Sequence, residues 1–133
     1  RLQVEGPVST LWLSQAYAGA QHAYVYYDTT MLTYQITGDG AAVVSALMTP
    51  LLALAVLAVV LLAVLAVRAR VPVTELLPAL VLALVTAFIA FNKVGSPQYM
   101  SWLAVPVILG LAVAGNGHGR SFRVPAGIVA API

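Results

Sequence analysis

A long uncharged apolar run is the feature that most constrains this chain. Residues 41–67, "AAVVSALMTPLLALAVLAVVLLAVLAV", contain no Asp, Glu, Lys or Arg over 27 positions. A helix of this length covers about 40 Å at about 1.5 Å per residue, which is more than the roughly 30 Å hydrocarbon core of a bilayer. Only 8% of all residues are charged, against roughly a quarter in soluble domains. The sequence therefore predicts an integral membrane protein.

Two further runs are long enough to cross a bilayer. The first, "TELLPALVLALVTAFIAF", is entered through Thr74, an N-cap candidate, with Glu75 at the positive end of the helix dipole. The second follows Ser96, which can cap a helix, and Pro97, which suits a first helical position. The chain ends on "VPAGIVAAPI", which resembles the start of another span. We predict transmembrane helices over residues 41–67, 74–91 and 97–114 and the onset of a further span over 124–133.

Residues 1–40 differ in kind from the rest of the chain. The segment "GPVSTLWLSQAYAGA" is too short and too polar to span, so it predicts a helix lying along the membrane interface. In "AYVYYDTTMLTYQITGDG" the side chains alternate in type on both sides of "DTT", which predicts two strands joined as a hairpin. The predicted fold class is an all-α integral membrane protein, a helical bundle fragment with a small outward β-hairpin. We interpret the chain as the carboxy-terminal part of a longer protein.

The basic residues predict how this chain is oriented. If the connections after the first and third spans share one side, that side holds most of the cations: Arg68, Arg70, Arg120 and Arg123. The positive-inside rule makes this side cytoplasmic. Residues 1–40 and the turn at Lys93 are then extracytoplasmic, and the protein is a multi-pass protein of the cell membrane.

A polar stretch between the second and third spans, "FNKVGSPQYMSWL", is the candidate binding site. An ammonium, amides and a hydroxyl near an outer interface suit an anionic headgroup, above all a lipid phosphate. We predict that Asn92, Lys93, Gln98 and Tyr99 contact such a phosphate. The alternative is that Lys93 only extends to the headgroups and marks the membrane boundary.

The stretch "NKVGSPQYMSWL", with "RLQVEG" at the amino end and "LTYQITGDG" before the first span, resembles actinobacterial members of glycosyltransferase family 87. These are polytopic GT-C enzymes related to polyprenyl-phosphate-mannose-dependent mannosyltransferases. The glycine that commonly precedes "LQ" in that family is missing here. The resemblance implies an inverting hexosyl transfer, with mannose as the sugar, from a polyprenyl-phosphate donor to a glycolipid or glycan acceptor on the outer face. It implies no cofactor.

The resemblance also implies that the catalytic base lies in an early outward loop upstream of this chain, so no residue here is assigned as catalytic. A weaker set of site residues, Arg1, Gln3 and Glu5, faces the same compartment as Lys93. For Glu5 the alternative is a simple ion pair with Arg1 or Lys93. Asp28 is expected to bond its own backbone at the hairpin turn.

Other functions find less support in the sequence. His22 and His118 stand alone without a second ligand at helical spacing, so we assign no metal site. No basic run indicates nucleic acid. The tyrosines of the hairpin could stack on a sugar or pack across the strands. A transporter or flippase fragment and a non-catalytic membrane subunit remain the alternative classes, with membrane lipid a partner in every case.

Overall fold

A computed structural model describes residues 2–96, 98–116 and 122–130, apart from the side chain of Val124. Most of these residues are helical. Several residues singled out above lie outside the described residues: Arg1, Pro97, His118, Arg120 and 131–133. The chain forms two compact units. The first comprises Arg1–Leu54 with Phe88–Pro97, and the second comprises Ala55–Ala87 with Gln98–Ile133.

The first unit contains a three-stranded antiparallel sheet. Its strands are β1 (Leu2–Gln3), β2 (Tyr24–Asp28) and β3 (Thr33–Thr37), in the spatial order β1-β3-β2. The predicted hairpin is present as β2 and β3. The third strand was not predicted, because two residues are too few to show an alternating pattern.

A small core lies between this sheet and a short helix. After a 3-10 turn at Pro7–Ser9, helix α1 (Thr10–Tyr17) places Trp12 over the sheet with only 3% of its surface exposed. The indole N–H of Trp12 donates a hydrogen bond to the carbonyl oxygen of Asp39 (3.0 Å). The core cluster comprises Leu2, Trp12, Ala23, Ile36 and Ala41.

Helix α2 (Ala41–Arg68) continues through Pro50 without a break. It ends in a Schellman motif, in which the N–H of Arg70 bonds the carbonyl of Val67 (3.0 Å) and the N–H of Val71 bonds that of Ala66 (3.0 Å). Arg70 has the left-handed conformation of this motif, with φ 57°. The motif satisfies two carbonyls that the end of the helix would otherwise leave unpaired.

Helix α3 (Val73–Phe91) begins one residue before Thr74, so the expectation that Thr74 is the N-cap is wrong. The N–H groups of Glu75 and Leu76 both bond the carbonyl oxygen of Pro72 (3.0 Å each). Pro72 therefore occupies the cap position, where its missing N–H is not needed.

The third apolar run does not form one continuous α-helix. It consists of α4 (Gln98–Ser101), a turn at Trp102 and Leu103, and α5 (Ala104–Gly115). Pro106 explains the break, because it has no N–H to donate to the carbonyl of Trp102 and fits best within the first turn of a new helix. After the gap in the described residues, α6 covers Arg123–Ala130.

Three stretches among the described residues are long and apolar enough to cross a membrane: Ala41–Arg68, Val73–Phe91 and Gln98–Gly115, with mean hydropathies of 3.1, 2.2 and 1.5. Their large side chains are mostly exposed; Leu62 and Ile108, for example, are 65% and 64% exposed. Apolar surface of this extent is unfavourable in water and favourable in lipid. Both observations are compatible with a multi-pass membrane protein.

Candidate functional site

The polar turn at residues 92–96 begins where α3 ends. The N–H of Asn92 bonds the carbonyl of Phe88 (3.0 Å), which is the last helical hydrogen bond. The side-chain oxygen of Asn92 then accepts the N–H of Val94 (3.3 Å), an Asx turn that redirects the chain. The side-chain amide of Asn92 thereby shapes the turn with its oxygen and keeps its two N–H donors for other partners.

This turn lies against the edge of β1. The N–H of Gln3 donates to the carbonyl oxygen of Lys93 (3.2 Å), so the edge strand finds a partner on the side that β3 does not occupy. The carbonyl of Gln3 in turn accepts the hydroxyl of Ser9 (2.5 Å). Such pairing covers a strand edge whose N–H groups would otherwise remain open to solvent.

Gly95 makes the closest approach between the turn and the amino-terminal segment. A Cβ atom at this position would overlap the carbonyl group of Glu5 and lie 2.5 Å from the amide nitrogen of Gly6. Only glycine permits this contact. The sequence predicted a sharp turn at Gly95 but not this contact. A glycine beside a cluster of polar residues can mark a place where two backbones approach closely.

The structure therefore places part of each of the two predicted sets of site residues in the same unit. Asn92 and Lys93 belong to the main predicted set, Gln3 and Glu5 to the weaker set, and all four lie in the first unit. Gln98 and Tyr99 lie in the second unit: Gln98 starts α4, and the ring of Tyr99 packs on Trp102 with 4.8 Å between centroids. Arg1, the remaining member, is outside the described residues.

Glu5 and Lys93 carry the charges of this site. Glu5 is exposed and Lys93 is partly exposed. Among the described residues neither side chain forms an ion pair, although the backbone of Glu5 lies against Gly95, two residues after Lys93. The ammonium of Lys93 is therefore available to an anion that arrives from outside the chain.

A cavity of about 290 Å³ lies beside β1 and the hairpin. It is lined by Gln3, Val4, Glu5, Val25, Tyr27, Leu32, Thr33 and Tyr34. The sequence predicted the hairpin but not this cavity, because the lining depends on the register of the strands and on β1. The tyrosines of the hairpin, of which Tyr27 and Tyr34 line the cavity, were the signal in the sequence that pointed to it.

Asp28 stabilises the turn of the hairpin. The Asp28 carboxylate accepts the N–H groups of Thr30 (2.9 Å) and Met31 (3.2 Å), as expected for an aspartate at a hairpin turn. Over the described ranges, no three His, Cys, Asp or Glu residues cluster in a way that could hold a metal ion.

A second cavity, of about 390 Å³, lies in the second unit between the start of α3, the second half of α5 and the start of α6. Its lining includes Glu75, Pro78, Gly110 and Phe122. Within the part of the lining that the structure describes, Glu75 is the only charged residue.

Comparison with known proteins gives no relative from which to assign this site: no family model, curated protein or solved structure matches the chain. The function must therefore be argued from the residues themselves.

Proposed function

We propose that this chain is the carboxy-terminal, donor-binding part of a membrane glycosyltransferase that moves a hexose from a polyprenyl-phosphate donor to a glycolipid or glycan acceptor. Mannose is the hexose that the resemblance to glycosyltransferase family 87 implies. One observation supports the proposal most: the hydrogen bond from Gln3 to the carbonyl of Lys93 joins two segments that both carry the resemblance. A chance likeness in two short motifs gives no reason for them to be neighbours.

The chemistry of such a transfer fits the residues of this turn. The acceptor hydroxyl attacks the anomeric carbon, the bond from that carbon to the phosphate oxygen breaks, and the electron pair leaves with the polyprenyl phosphate. Negative charge grows on the phosphate, and the ammonium of Lys93 and the amide N–H groups of Asn92 are donors suited to it. The proton of the acceptor passes to a carboxylate base, a role that we assign to no residue of this chain.

The orientation belongs to the same proposal. We expect the turn at residues 92–96 and the sheet to face the extracytoplasmic side, with the connection between α2 and α3 in the cytoplasm. The chain has no cysteine, so single cysteines report cleanly. A cysteine in place of Val94, which is 38% exposed, should react with a membrane-impermeant maleimide in intact cells. A cysteine in place of the exposed Ala69 should react only after permeabilisation, and the reverse pattern would invert the topology and remove the outer-face assignment.

Replacing Lys93 with alanine tests the phosphate contact. A hydrogen bond to a charged group contributes about 1.5–3 kcal/mol, so we expect the apparent KM for polyprenyl-phosphate mannose to rise by about tenfold or more. Transfer of radiolabelled mannose into glycolipid, in membranes that contain the protein, measures this. The Lys93→Arg variant, which keeps the charge, should lose less.

Arg68→Ala is the matched control, because it removes an exposed cation that is the last residue of α2 and belongs to the second unit. The KM for the donor should not change in this variant. An unchanged KM in Lys93→Ala as well would contradict the phosphate role. Passage of labelled donor across the bilayer without transfer would instead favour the flippase alternative.

A further inference from the structure

The cavity beside the hairpin has a lining that mixes aromatic rings with hydrogen-bonding groups. Its volume of about 290 Å³ lies at the lower end of the range of small-molecule sites, which begins at about 300 Å³. It therefore offers room for a ligand of the size of one sugar residue rather than for a lipid chain. All of its lining residues belong to the first unit.

Two tyrosines form its aromatic wall. Tyr27 and Tyr34 are direct partners across β2 and β3, with ring centroids 5.2 Å apart and an interplanar angle of 63°. In an edge-on pair one ring turns its edge to the other, so at least one ring face remains uncovered. The two side chains are accordingly 48% and 62% exposed. An uncovered tyrosine face is a surface on which the C–H groups of a sugar ring can pack.

Polar groups of Gln3, Glu5 and Thr33 also line the cavity. The carboxylate of Glu5 makes no ion pair with any described residue and can accept hydrogen bonds from sugar hydroxyls. The hydroxyl of Thr33 accepts the amide N–H of Gln35 (2.8 Å), which leaves its own hydrogen to donate. Gln35 is 3% exposed, and its buried oxygen has no hydrogen-bond partner in the described part of the chain. The buried amide of Gln35 thus fixes the position of the Thr33 hydroxyl in the lining of the cavity.

This lining discriminates between ligand classes. Among the described residues it contains a carboxylate and no cation, and a carboxylate repels a phosphate or a nucleic acid. A lipid tail would take water from the carboxylate of Glu5 without replacing its hydrogen bonds, at a cost of at least about 1–3 kcal/mol. The side chains of Gln3 and Thr33 already bond each other (Nε2 to Oγ1, 3.5 Å) and add little to this discrimination. A neutral polyol with one apolar face satisfies both walls at once.

We propose that this cavity binds one sugar residue of the acceptor. The assignment to the acceptor, but not the affinity for a saccharide, rests on the proposed transferase function. Gln3 connects the two sites, because its side chain lines the cavity while its N–H bonds the carbonyl of Lys93. An acceptor sugar in the cavity therefore lies one strand residue away from the turn assigned to the donor phosphate.

Saturation-transfer NMR with methyl α-D-mannopyranoside, on the protein in lipid nanodiscs, tests the saccharide site directly. Tyr34→Ala removes an aromatic wall, and Glu5→Gln removes the charge while keeping the shape of the side chain. We expect each variant to weaken binding by about fivefold or more, as the loss of one aromatic contact or one charged hydrogen bond predicts. Tyr17→Ala is the control, since Tyr17 is 96% exposed and lies outside the cavity.

The outcomes separate this inference from the proposed function. Loss of sugar binding in Tyr34→Ala and Glu5→Gln, with Tyr17→Ala unchanged, supports the site even if no mannosyl transfer is ever measured. If transfer is measured, Tyr34→Ala should raise the KM for the acceptor and not that for the donor. Absence of saturation transfer, or equal signals in all variants, overturns the inference.

Discussion

Replacing Gly95 with alanine is expected to separate the polar turn from β1. The added methyl group would overlap the carbonyl of Glu5 and crowd the nitrogen of Gly6, and a backbone cannot rotate away as a side chain can. Overpacking of this kind costs about 1–3 kcal/mol, and contact with backbone points to the upper end. The amide of Gln3, which bonds the carbonyl of Lys93, should then exchange its hydrogen about ten to a hundred times faster.

Hydrogen exchange measured by mass spectrometry on peptides that cover residues 2–6 provides the readout. Gly115→Ala is the matched control, because a Cβ at that position meets no described atom within 4 Å outside its own helix backbone and its chain neighbours, and it should leave the exchange of Gln3 unchanged. Equal exchange rates in Gly95→Ala and in the parent protein would show that the turn does not depend on this glycine. A rise in the KM for the donor in Gly95→Ala would further connect the packing of the turn with the proposed site.

Trp12→Ala should unfold the small sheet. Trp12 has 3% of its surface exposed and fills the cluster with Leu2 and Ile36. A Cβ at Gly38 would already meet its ring, so the space on that side is filled by the indole. Truncation of a buried tryptophan costs about 3–5 kcal/mol, a large share of what so small a core can contribute. Amides of β3 should lose most of their protection from exchange.

Two further variants resolve the origin of this effect. Trp12→Phe keeps an aromatic ring but removes the hydrogen bond to the carbonyl of Asp39, worth about 1 kcal/mol, and part of the ring volume, so its loss should lie between that value and the loss in Trp12→Ala. Trp102→Ala removes the other tryptophan of the chain, which lies in the second unit and is 46% exposed. Exchange in β3 should be insensitive to Trp102→Ala. If both tryptophan truncations affect β3 equally, the core assigned to Trp12 is wrong.

The parts of the fold that sequence predicted are those with strong local patterns. The uncharged run that became α2 and the alternation that became β2 and β3 can each be recognised within a few residues. The two-residue strand β1 carries no such pattern, since it depends on a partner at Ile36 far along the chain. The break between α4 and α5 could have been anticipated from Pro106, whose missing N–H denies a partner to the carbonyl of Trp102.

The residues of the candidate site also divide into those with a local signal in the sequence and those placed by tertiary packing. Lys93 and Asn92 attracted notice because polar groups are rare in so apolar a chain, and this argument needs no structure. The proximity of Gln3 and Glu5 to them could not be derived from spacing, because a hydrogen bond between distant segments is set by tertiary packing. The cavity could not be predicted either, because its lining depends on the register that pairs Tyr27 with Tyr34 across the hairpin.

The hydrogen bond from the N–H of Gln3 to the carbonyl of Lys93 also constrains the order in which parts of this protein fold during synthesis. These residues lie on opposite sides of α2 and α3 in the chain, and a ribosome adding about 5–20 residues per second needs on the order of ten seconds to reach the second after the first. Throughout that interval the outer edge of β1 lacks its native cover. The hydrogen bond to Lys93 can form only once both long helices have been made, so this edge of β1 is covered after the three strands themselves have been synthesised.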